Sequence, residues 1–305
     1  MSKILCVGDS CADIIIPYGN VKQGMVDSPV FNCGGAAANT ACALGKLGCD
    51  VAFAGKAGKD LYGLEMKKEM ENSHVNTDYF LIDEKEVSTQ ILVVVDENKD
   101  RYPFLMPKER PSYLEIYTEE LDKIDISDTE YILSNGMMLF KDPAASSITA
   151  FLKKVHGNRI KIILDINLRP ETINEDRRYL EEVLNISDYI LGSTKDDFIP
   201  LSFDGTINYV IDKYGRDKVI VTHDKDGSTI YHQDKAYYCK SYKVDVKDSI
   251  GAGDAFNAGF IFGLANGYDL EQCNILANKT AAFSLKEEGA RHTPNKKDLE
   301  KFPAL

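Results

Sequence analysis

The 305-residue sequence contains no tryptophan and only five histidines, and none of these histidines has a spacing typical of metal ligands. No apolar run reaches the roughly 18 residues that indicate a membrane span. The first residues, MSKILCVGDS, have only a short apolar run before Gly8 and Asp9, so we expect no signal peptide. These absences argue against a histidine metal centre and against a membrane anchor.

Positive charge is scarce as well. The chain has 36 lysines and arginines against 48 aspartates and glutamates, which gives a formal net charge of −12. Because binding to a phosphate backbone needs a basic surface, we expect no nucleic acid partner. A phosphorylated small molecule is compatible with this charge, since a few local amides and cations can hold one on an acidic protein.

Cysteine is present, but its pairing motifs are missing. The seven cysteines are odd in number and form no C-x-x-C pair, and several of them stand in apolar stretches. Such cysteines are typically buried, reduced thiols, which favours a cytoplasmic location. The seven are Cys6, Cys11, Cys33, Cys42, Cys49, Cys239 and Cys273.

Three common catalytic templates are also absent. The sequence has no G-x-x-x-x-G-K-[ST] loop, no G-x-G-x-x-G after its first strand and no G-x-S-x-G elbow. The missing motifs argue against a P-loop enzyme, a dinucleotide-dependent dehydrogenase and an α/β-hydrolase.

Short apolar runs alternate with helical patterns over most of the chain. A strand followed by a helix, repeated, predicts right-handed crossovers and a mainly parallel sheet covered on both faces. Ligands of such α/β sheets bind beyond the carboxyl ends of the strands. We predict one domain over residues 1–305. The strands are expected at 3–8, 50–55, 131–136, 161–167, 189–193 and 218–223, and helices at 37–48, 62–73, 143–156 and 177–187.

Two segments interrupt this alternation. Residues 12–33 and 87–106 contain strand-like runs and turn residues without an intervening helix. They are predicted to meet as a small separate sheet. The pattern leaves two interpretations open, a lid over a pocket and a β-excursion without a function.

The stretch DSIGAGDAFNAGFIFGL, residues 248–264, combines a small flexible half with an apolar helix. The amides of Gly251, Ala252 and Gly253 are predicted at a helix N-terminus, which is a favourable site for a phosphate or a developing anion. Asp254 beside them can accept a proton from an attacking hydroxyl. An aspartate in the first helical turn is also a common cap, and the preceding G-A-G favours the catalytic interpretation.

Two further stretches carry polar groups after predicted strands. In CGGAAANTACALGKLG, residues 33–48, Gly34 and Gly35 permit close backbone approach, and Asn39 can direct an amide at a polyol. The same stretch is also explained by tight packing of an alanine-rich helix. In GDSCAD, residues 8–13, Asp13 can bind two sugar hydroxyls.

Together these stretches resemble the signatures of the ribokinase-like, or phosphofructokinase B, family of sugar kinases. The resemblance runs over nearly the whole chain, with two signatures in the family's order. It implies a three-layer α/β/α fold with a small β-sheet lid, and transfer of the γ-phosphoryl group of ATP, with Mg²⁺, to a sugar hydroxyl. By position it implies Asp254 as the general base, Gly251, Ala252 and Gly253 as the anion hole, Asp13, Gly34, Gly35 and Asn39 as sugar ligands, and Asn278 on the adenosine side.

The sequence departs from the family at its nucleotide motifs. The family's N-x-x-E element is similar to GSTKDD here, which puts Ser193 and Asp196 in its places and implies Mg²⁺ contact through water. The TLGxxG loop appears as THDKDG, which keeps Thr222 and Gly227 but puts Asp224 where glycine is normal. An acidic group there weakens nucleotide binding unless it points away or meets a cation.

The resemblance leaves cation, substrate and assembly open. Asp248 and Gly289 match ligand positions for a monovalent cation such as K⁺, and the family commonly dimerises through its lid. LDINLRP resembles the fructokinase and 2-keto-3-deoxygluconate kinase branches, and Arg169 there either binds an acidic acceptor or forms a structural ion pair. The alternatives are a nucleoside or phosphosugar kinase of the same fold and a catalytically silent sugar-binding regulator.

Overall fold

The computed structural model describes residues 3–16, 21–22, 25–26, 29–97, 101–107, 109–169, 172 and 175–303. Parts of the predicted lid, residues 17–20, 23–24, 27–28 and 98–100, therefore lie outside the described residues.

The described part of the chain forms fifteen strands and ten α-helices. The strands are β1 (Ile4–Val7), β2 (Cys11–Ile16), β3 (Val21–Lys22), β4 (Met25–Val26), β5 (Val30–Gly34), β6 (Val51–Gly58), β7 (Phe80–Asp83), β8 (Gln90–Val95), β9 (Arg101–Met106), β10 (Tyr131–Asn135), β11 (Lys161–Asp165), β12 (Tyr189–Ser193), β13 (Val219–Thr222), β14 (Ser228–His232) and β15 (Lys235–Cys239). The helices are α1 (Ala36–Lys46), α2 (Leu61–Asn72), α3 (Thr118–Leu121), α4 (Ala144–Val155), α5 (Arg178–Ile186), α6 (Ile199–Leu201), α7 (Ile207–Tyr214), α8 (Ala252–Ala265), α9 (Leu270–Ser284) and α10 (Lys296–Lys301).

Nine strands form the main sheet, in the order β15-β14-β13-β12-β11-β10-β1-β6-β7. Seven strands of this sheet are parallel to one another, namely β13, β12, β11, β10, β1, β6 and β7. The strands β14 and β15 add an antiparallel edge. In the centre, Ile4 of β1 pairs with Tyr131 of β10 on one side and with Val51 of β6 on the other. The six predicted strands and four predicted helices are all confirmed, within a few residues at their ends.

Alternation along β1 explains the three layers. Ile4 and Cys6 pack into the apolar cluster that holds α1, α8 and α9, whereas Leu5 and Val7 pack into the cluster that holds α4, α5 and α7. Because successive side chains of a strand point to opposite faces, one strand supplies both cores. The predicted α/β/α architecture is confirmed. No described helix is both long and apolar enough to cross a bilayer.

The two segments without helices meet in a second sheet, in the order β5-β2-β8-β9. Ile14 of β2 pairs with Phe31 of β5 and with Leu92 of β8, and Leu92 pairs with Phe104 of β9. Since directly paired residues share a face, these four side chains lie in one apolar row. The neighbouring residue Asp13 lies on the opposite face. The predicted separate sheet is confirmed.

Parallel pairing brings the loops of the site together. The carboxyl ends of β1, β10, β11, β12 and β13 lie at one edge of the main sheet because these strands run in the same direction. The loops that follow these strands carry most of the polar residues singled out in the sequence.

Candidate active site

The N-terminus of α8 presents the G-A-G segment as predicted. Gly251 precedes the helix with φ 78° and ψ 2°, and a Cβ on it would lie 2.6 Å from the carbonyl oxygen of Ala290, so glycine is required. The first amides of a helix have no intrahelical acceptor, although the N–H of Ala252 donates to the carbonyl of Ser249 at 3.3 Å. This geometry provides amide donors beside a carboxylate in the first turn.

That carboxylate is Asp254, one oxygen of which accepts a hydrogen bond from Asn39 Nδ2 at 2.8 Å. Burial raises the pKa of Asp254 to about 7, and the charge of Asp9 contributes, while the bond from Asn39 and the charges of Arg169 and Arg291 oppose the rise. A carboxyl with a pKa near neutrality is suited to accept and return a proton. The geometry therefore fits a general base.

Asp9 is a part of the site that the sequence reasoning missed. Its two carboxylate oxygens accept the N–H groups of Ala36 and Ala37, each at 3.0 Å, and one of them also accepts Asn135 Nδ2 at 2.6 Å. A side chain 27 residues upstream thus caps α1, because Gly35 at the N-cap position has none. The only signal in the sequence was an acidic residue directly after a predicted strand.

Asp13 and Gly34, both predicted to hold a sugar, lie side by side. A Cβ on Gly34 would lie 2.4 Å from Asp13 Oδ2, so any larger residue would displace the carboxylate. Burial raises the pKa of Asp13 to about 6, and Cys11 Sγ donates to its Oδ1 at 3.5 Å. Gly35, with φ 98°, passes so close to Ser10 that a Cβ would lie 2.6 Å from its Cα.

Asn39 is bonded at both ends of its amide. Besides donating to Asp254, it accepts a hydrogen bond on Oδ1 from Arg291 Nε at 3.0 Å. The sequence reasoning did not single out Arg291, since one arginine in the segment EEGARHTP carries no pattern of its own. The predicted contact between Asn39 and a sugar stays a prediction.

The end of β11 adds both charge signs to the cleft. Burial, together with the charges of Asp197 and Asp254, raises the pKa of Asp165 well above its ordinary value. Arg169 is exposed, and its charge lowers the pKa of Asp13, Asp165 and Asp254, so one cation acts on all three carboxyls. No described carboxylate lies within ion-pair distance of Arg169. The structure thus shows no ion pair for Arg169 among the described residues.

The end of β12 is held by a buried aspartate. Asp197 accepts the N–H of Ser193 at 2.7 Å and the N–H of Leu168 at 2.8 Å, which ties two neighbouring strand ends together. Asp196 beside it is exposed, and its N–H donates to Ser193 Oγ at 3.1 Å. Thr222, at the end of the adjacent β13, donates to the carbonyl of Gly192 at 3.4 Å.

The loop THDKDG has the tight turn that its glycine implies. Gly227 has φ 108°, and a Cβ there would lie 2.0 Å from the carbonyl oxygen of Cys239. Asp224 has a positive φ of 51° and lies 3.4 Å from Lys195 Nζ, with both side chains exposed. An acidic residue at this position was expected to weaken nucleotide binding unless it points away or meets a cation. The structure provides the cation, which is Lys195.

Asn278, Asp248 and Gly289 are engaged with their neighbours. The amide of Asn278 is buried, and its Nδ2 donates to Ser228 Oγ at 2.6 Å and to the carbonyl of Asn274 at 2.8 Å. Asp248 accepts the N–H of Gly289 at 3.2 Å. The predicted nucleotide and cation roles of these residues stay predictions.

The carboxylates at this edge of the main sheet fit a magnesium ion only when phosphate oxygens of a substrate bind the ion as well. No group of three or more metal-binding side chains occurs among the described residues. The carboxylate of Asp196 is exposed and accepts a long hydrogen bond from Ser193 Oγ at 3.5 Å, whereas Asp197 accepts two backbone N–H groups. Since Mg²⁺ keeps several waters and binds through one or two carboxylates plus substrate phosphates, this set fits it.

Comparison with known sequences identifies a family over almost the whole chain. The model of the pfkB family carbohydrate kinases matches residues 1–298. The 5-dehydro-2-deoxygluconokinase of Bacillus subtilis (strain 168) is 24% identical over 313 residues, which cover 98% of this chain and 95% of that protein. A protein of the same name from Listeria innocua serovar 6a is 26% identical over 299 residues, with 94% and 91% covered.

Solved structures show the same fold. A fructokinase from Xylella fastidiosa with bound ATP superposes with a TM-score of 0.87 at 21% identity, covering 99% of this chain and 98% of that one. An E. coli structure with ATP and Mg²⁺ gives a TM-score of 0.86 at 21% identity, with 99% of both chains covered. With a family model matching almost its full length, the chain belongs to the pfkB family and is an ATP-dependent carbohydrate kinase.

Proposed function

We propose that this kinase transfers the γ-phosphoryl group of ATP to a hydroxyl of a small sugar or sugar acid, with Asp254 as the general base. The observation that carries the proposal is a carboxyl with a pKa of about 7 in the first turn of α8, directly beside the amides of Gly251–Gly253. A proton acceptor and an anion-binding helix terminus are the two parts that phosphoryl transfer needs close together.

In this mechanism the acceptor hydroxyl lies between the Asp254 carboxylate and the γ-phosphorus. Asp254 takes the hydroxyl proton as the oxygen–phosphorus bond forms, and the bond to the β-phosphate oxygen breaks to leave ADP. The amides of Gly251, Ala252 and Gly253 bind the phosphoryl oxygens in transit. Asp13, together with the backbone of Gly34 and Gly35, holds the other hydroxyls of the acceptor.

Arg169 favours an acidic acceptor over a neutral sugar. Its charge acts on Asp13, Asp165 and Asp254, and no described carboxylate lies within ion-pair distance of it. A sugar acid would supply the missing partner in a bidentate contact. The relatives named 5-dehydro-2-deoxygluconokinase suggest one such acceptor, 5-dehydro-2-deoxygluconate, and 2-keto-3-deoxygluconate is another.

On the nucleotide side, we assign ATP to the ends of β12 and β13. Ser193, Thr222 and Gly227 lie around this edge, with Asp224 held by Lys195. Asp196 would hold Mg²⁺ through water, and the metal when bound neutralises charge on the phosphates. Asn278 is assigned to the adenosine side.

A monovalent cation beside Asp248 and Gly289 is a further part of the proposal. The two residues are in contact. Asp248 lies close in sequence to the anion hole, and Gly289 directly precedes Ala290, whose backbone lies against Gly251. Turnover in K⁺ compared with tetramethylammonium tests this part. An equal rate in both salts would remove the cation from the mechanism.

The proposal takes residues 1–305 as one kinase domain, with the sheet β5-β2-β8-β9 as its lid. The face with Asp13 lies toward the cleft, and the opposite face carries the apolar row from Phe31 to Phe104. We propose that a second copy of the chain covers this row in a homodimer. All seven cysteines are free thiols, which fits a reducing compartment such as the cytoplasm.

The decisive experiment measures ADP release with ATP and Mg²⁺ by the wild-type protein and by Asp254→Asn. The acceptor panel contains both keto-deoxy sugar acids, fructose, ribose, tagatose 6-phosphate and adenosine. We expect turnover with a sugar acid and a loss of about 10²- to 10⁴-fold in Asp254→Asn, the usual range for a general base.

Other outcomes would contradict the proposal. Turnover of Asp254→Asn within a few-fold of wild type would exclude Asp254 as the base. Preferential turnover of adenosine or of tagatose 6-phosphate would favour a nucleoside or phosphosugar kinase. Binding of a sugar without turnover of any acceptor would favour a silent sugar-binding regulator.

A further inference from the structure

A buried arginine lies behind the proposed base. Arg291, in the segment between α9 and α10, is only 7% exposed. A buried guanidinium needs partners for its donors. Its Nε donates to Asn39 Oδ1 at 3.0 Å, its Nη2 donates to the carbonyl of Gly34 at 3.2 Å, and its Nη1 lies 3.3 Å from Glu69 Oε2.

The contact with Asn39 fixes which way the amide of Asn39 points. Arginine carries only donors, so the oxygen of Asn39 must face Arg291 and its NH₂ group must face Asp254. A donor at 2.8 Å stabilises the ionised form of Asp254 over the protonated form. Without the arginine, the amide could turn and present its oxygen to a protonated Asp254, which would stabilise the wrong form.

We infer that Arg291 is a positioning residue for the reaction: by orienting Asn39, it keeps Asp254 in the form that accepts a proton. The inference rests on the proposed function, in which Asp254 is the base. Arg291 lies behind Asn39, whose amide bridges it to Asp254, so its effect on Asp254 passes through that amide and through its charge.

The surroundings hold Arg291 in place and set its electrostatic effect. Lys46, at the end of α1, donates to the backbone carbonyl of Arg291 at 2.6 Å, so α1 contacts this residue through Asn39 as well as through its last turn. The charge of Arg291 also lowers the pKa of Asp254, against the effect of burial. The charged groups that face Asp254 are Asp9, Asp165, Arg169 and Arg291, and the titratable groups that face Arg291 are Cys11, Asp13, Cys33, Cys42, Lys46 and Glu69.

The test is the pH profile of kcat for Arg291→Met and Arg291→Gln. Arg291→Met removes both the charge and the donor, so we expect the acidic limb to move to higher pH by about one unit, with most of the rate regained at alkaline pH. Arg291→Gln keeps a donor for Asn39 Oδ1, so we expect a smaller shift in the same direction. If Arg291→Met does not fold, Arg291→Gln still decides the question.

Glu69→Gln is the matched control, because it removes the ion pair with Arg291 but leaves the contact with Asn39. We expect no upward shift of its acidic limb. A uniform fall in kcat at every pH, with the limb of both Arg291 variants unmoved, would mean that Arg291 is only structural. If Asp254→Asn keeps its turnover, the proposed base is wrong, whereas a dead Asp254→Asn with unshifted Arg291 variants overturns this inference alone.

Discussion

At the level of single residues, the protonation of Asp254 should govern the pH dependence of turnover. A base is active when it is ionised, so its raised pKa of about 7 predicts a rate that increases with pH through neutrality and then levels off. The measurement is kcat/KM for the acceptor from pH 5 to pH 9. Asp13, with a pKa of about 6, is the competing titrating group, so Asp13→Asn should keep an acidic limb near pH 7.

The raised pKa of Asp254 also predicts that the protein is less stable at the pH where this carboxyl is ionised and active. The folded-state pKa of Asp254 is raised above its ordinary value of 3.8, so its contribution to stability is full below pH 4 and is lost as pH rises through about 7. Asp254→Asn removes this loss. We expect a melting temperature a few degrees above wild type at pH 8 and a smaller difference at pH 5. A variant less stable than wild type at pH 8 would contradict the prediction.

Asp224 is a residue whose replacement should improve nucleotide binding. Asp224→Gly relieves a positive φ of 51° and frees Lys195 from its 3.4 Å ion pair, so that the ammonium can face a phosphate. We expect a KM for ATP that is lower by up to about fivefold, the scale of an exposed charge pair. Lys195→Met should raise this KM, and an unchanged KM in both variants would place the loop away from the phosphates.

At the level of elements, two glycines at the start of α8, Gly251 and Gly253, allow a structural effect of substitution to be distinguished from a catalytic one. Gly251 has a positive φ, and its added Cβ would meet the backbone of Ala290 at 2.6 Å, so Gly251→Ala should lower both stability and activity. A Cβ on Gly253 would meet nothing within 4 Å.

Gly253→Ala is therefore the matched variant. Alanine in a helix should stabilise the free protein by about 0.5–1 kcal/mol. If a phosphoryl group approaches this amide, the same methyl group should lower kcat. Denaturant unfolding and initial rates measure the two effects, and a fully active Gly253→Ala would exclude close approach at this position.

At the level of the whole molecule, the apolar row on the small sheet β5-β2-β8-β9 should decide whether the chain dimerises. Tyr102, Phe104 and Met106 on β9 are each more than a third exposed, and Phe104 ends the apolar row that crosses the sheet. An exposed apolar row of this kind favours a partner surface. Phe104→Asp should convert the proposed dimer to a monomer in light scattering, whereas Tyr238→Asp on the distant β15 should not. A monomeric wild-type protein would exclude the dimer.

Local patterns of apolar residues were sufficient to predict the strands and helices. Apolar runs such as 161–167 predicted their strands because burial on both faces of a parallel sheet requires them. The glycine at 251 was singled out because a backbone without a side chain can approach a ligand closely, and Gly227 was singled out from the resemblance to the TLGxxG loop. The sequence therefore determined the layers, the separate small sheet and the stretch that begins α8.

Only the tertiary structure decided which side chains meet. Asp9 caps a helix 27 residues away, Asn39 reaches Asp254 across 215 residues, and Arg291 reaches Asn39 across 252. Asn278 likewise directs its amide nitrogen toward Ser228 inside the fold. Such partners depend on how separate elements pack, and a local pattern of residue types carries no information about that. The sequence thus located the groups proposed to react, while packing determined the charges and hydrogen bonds around them.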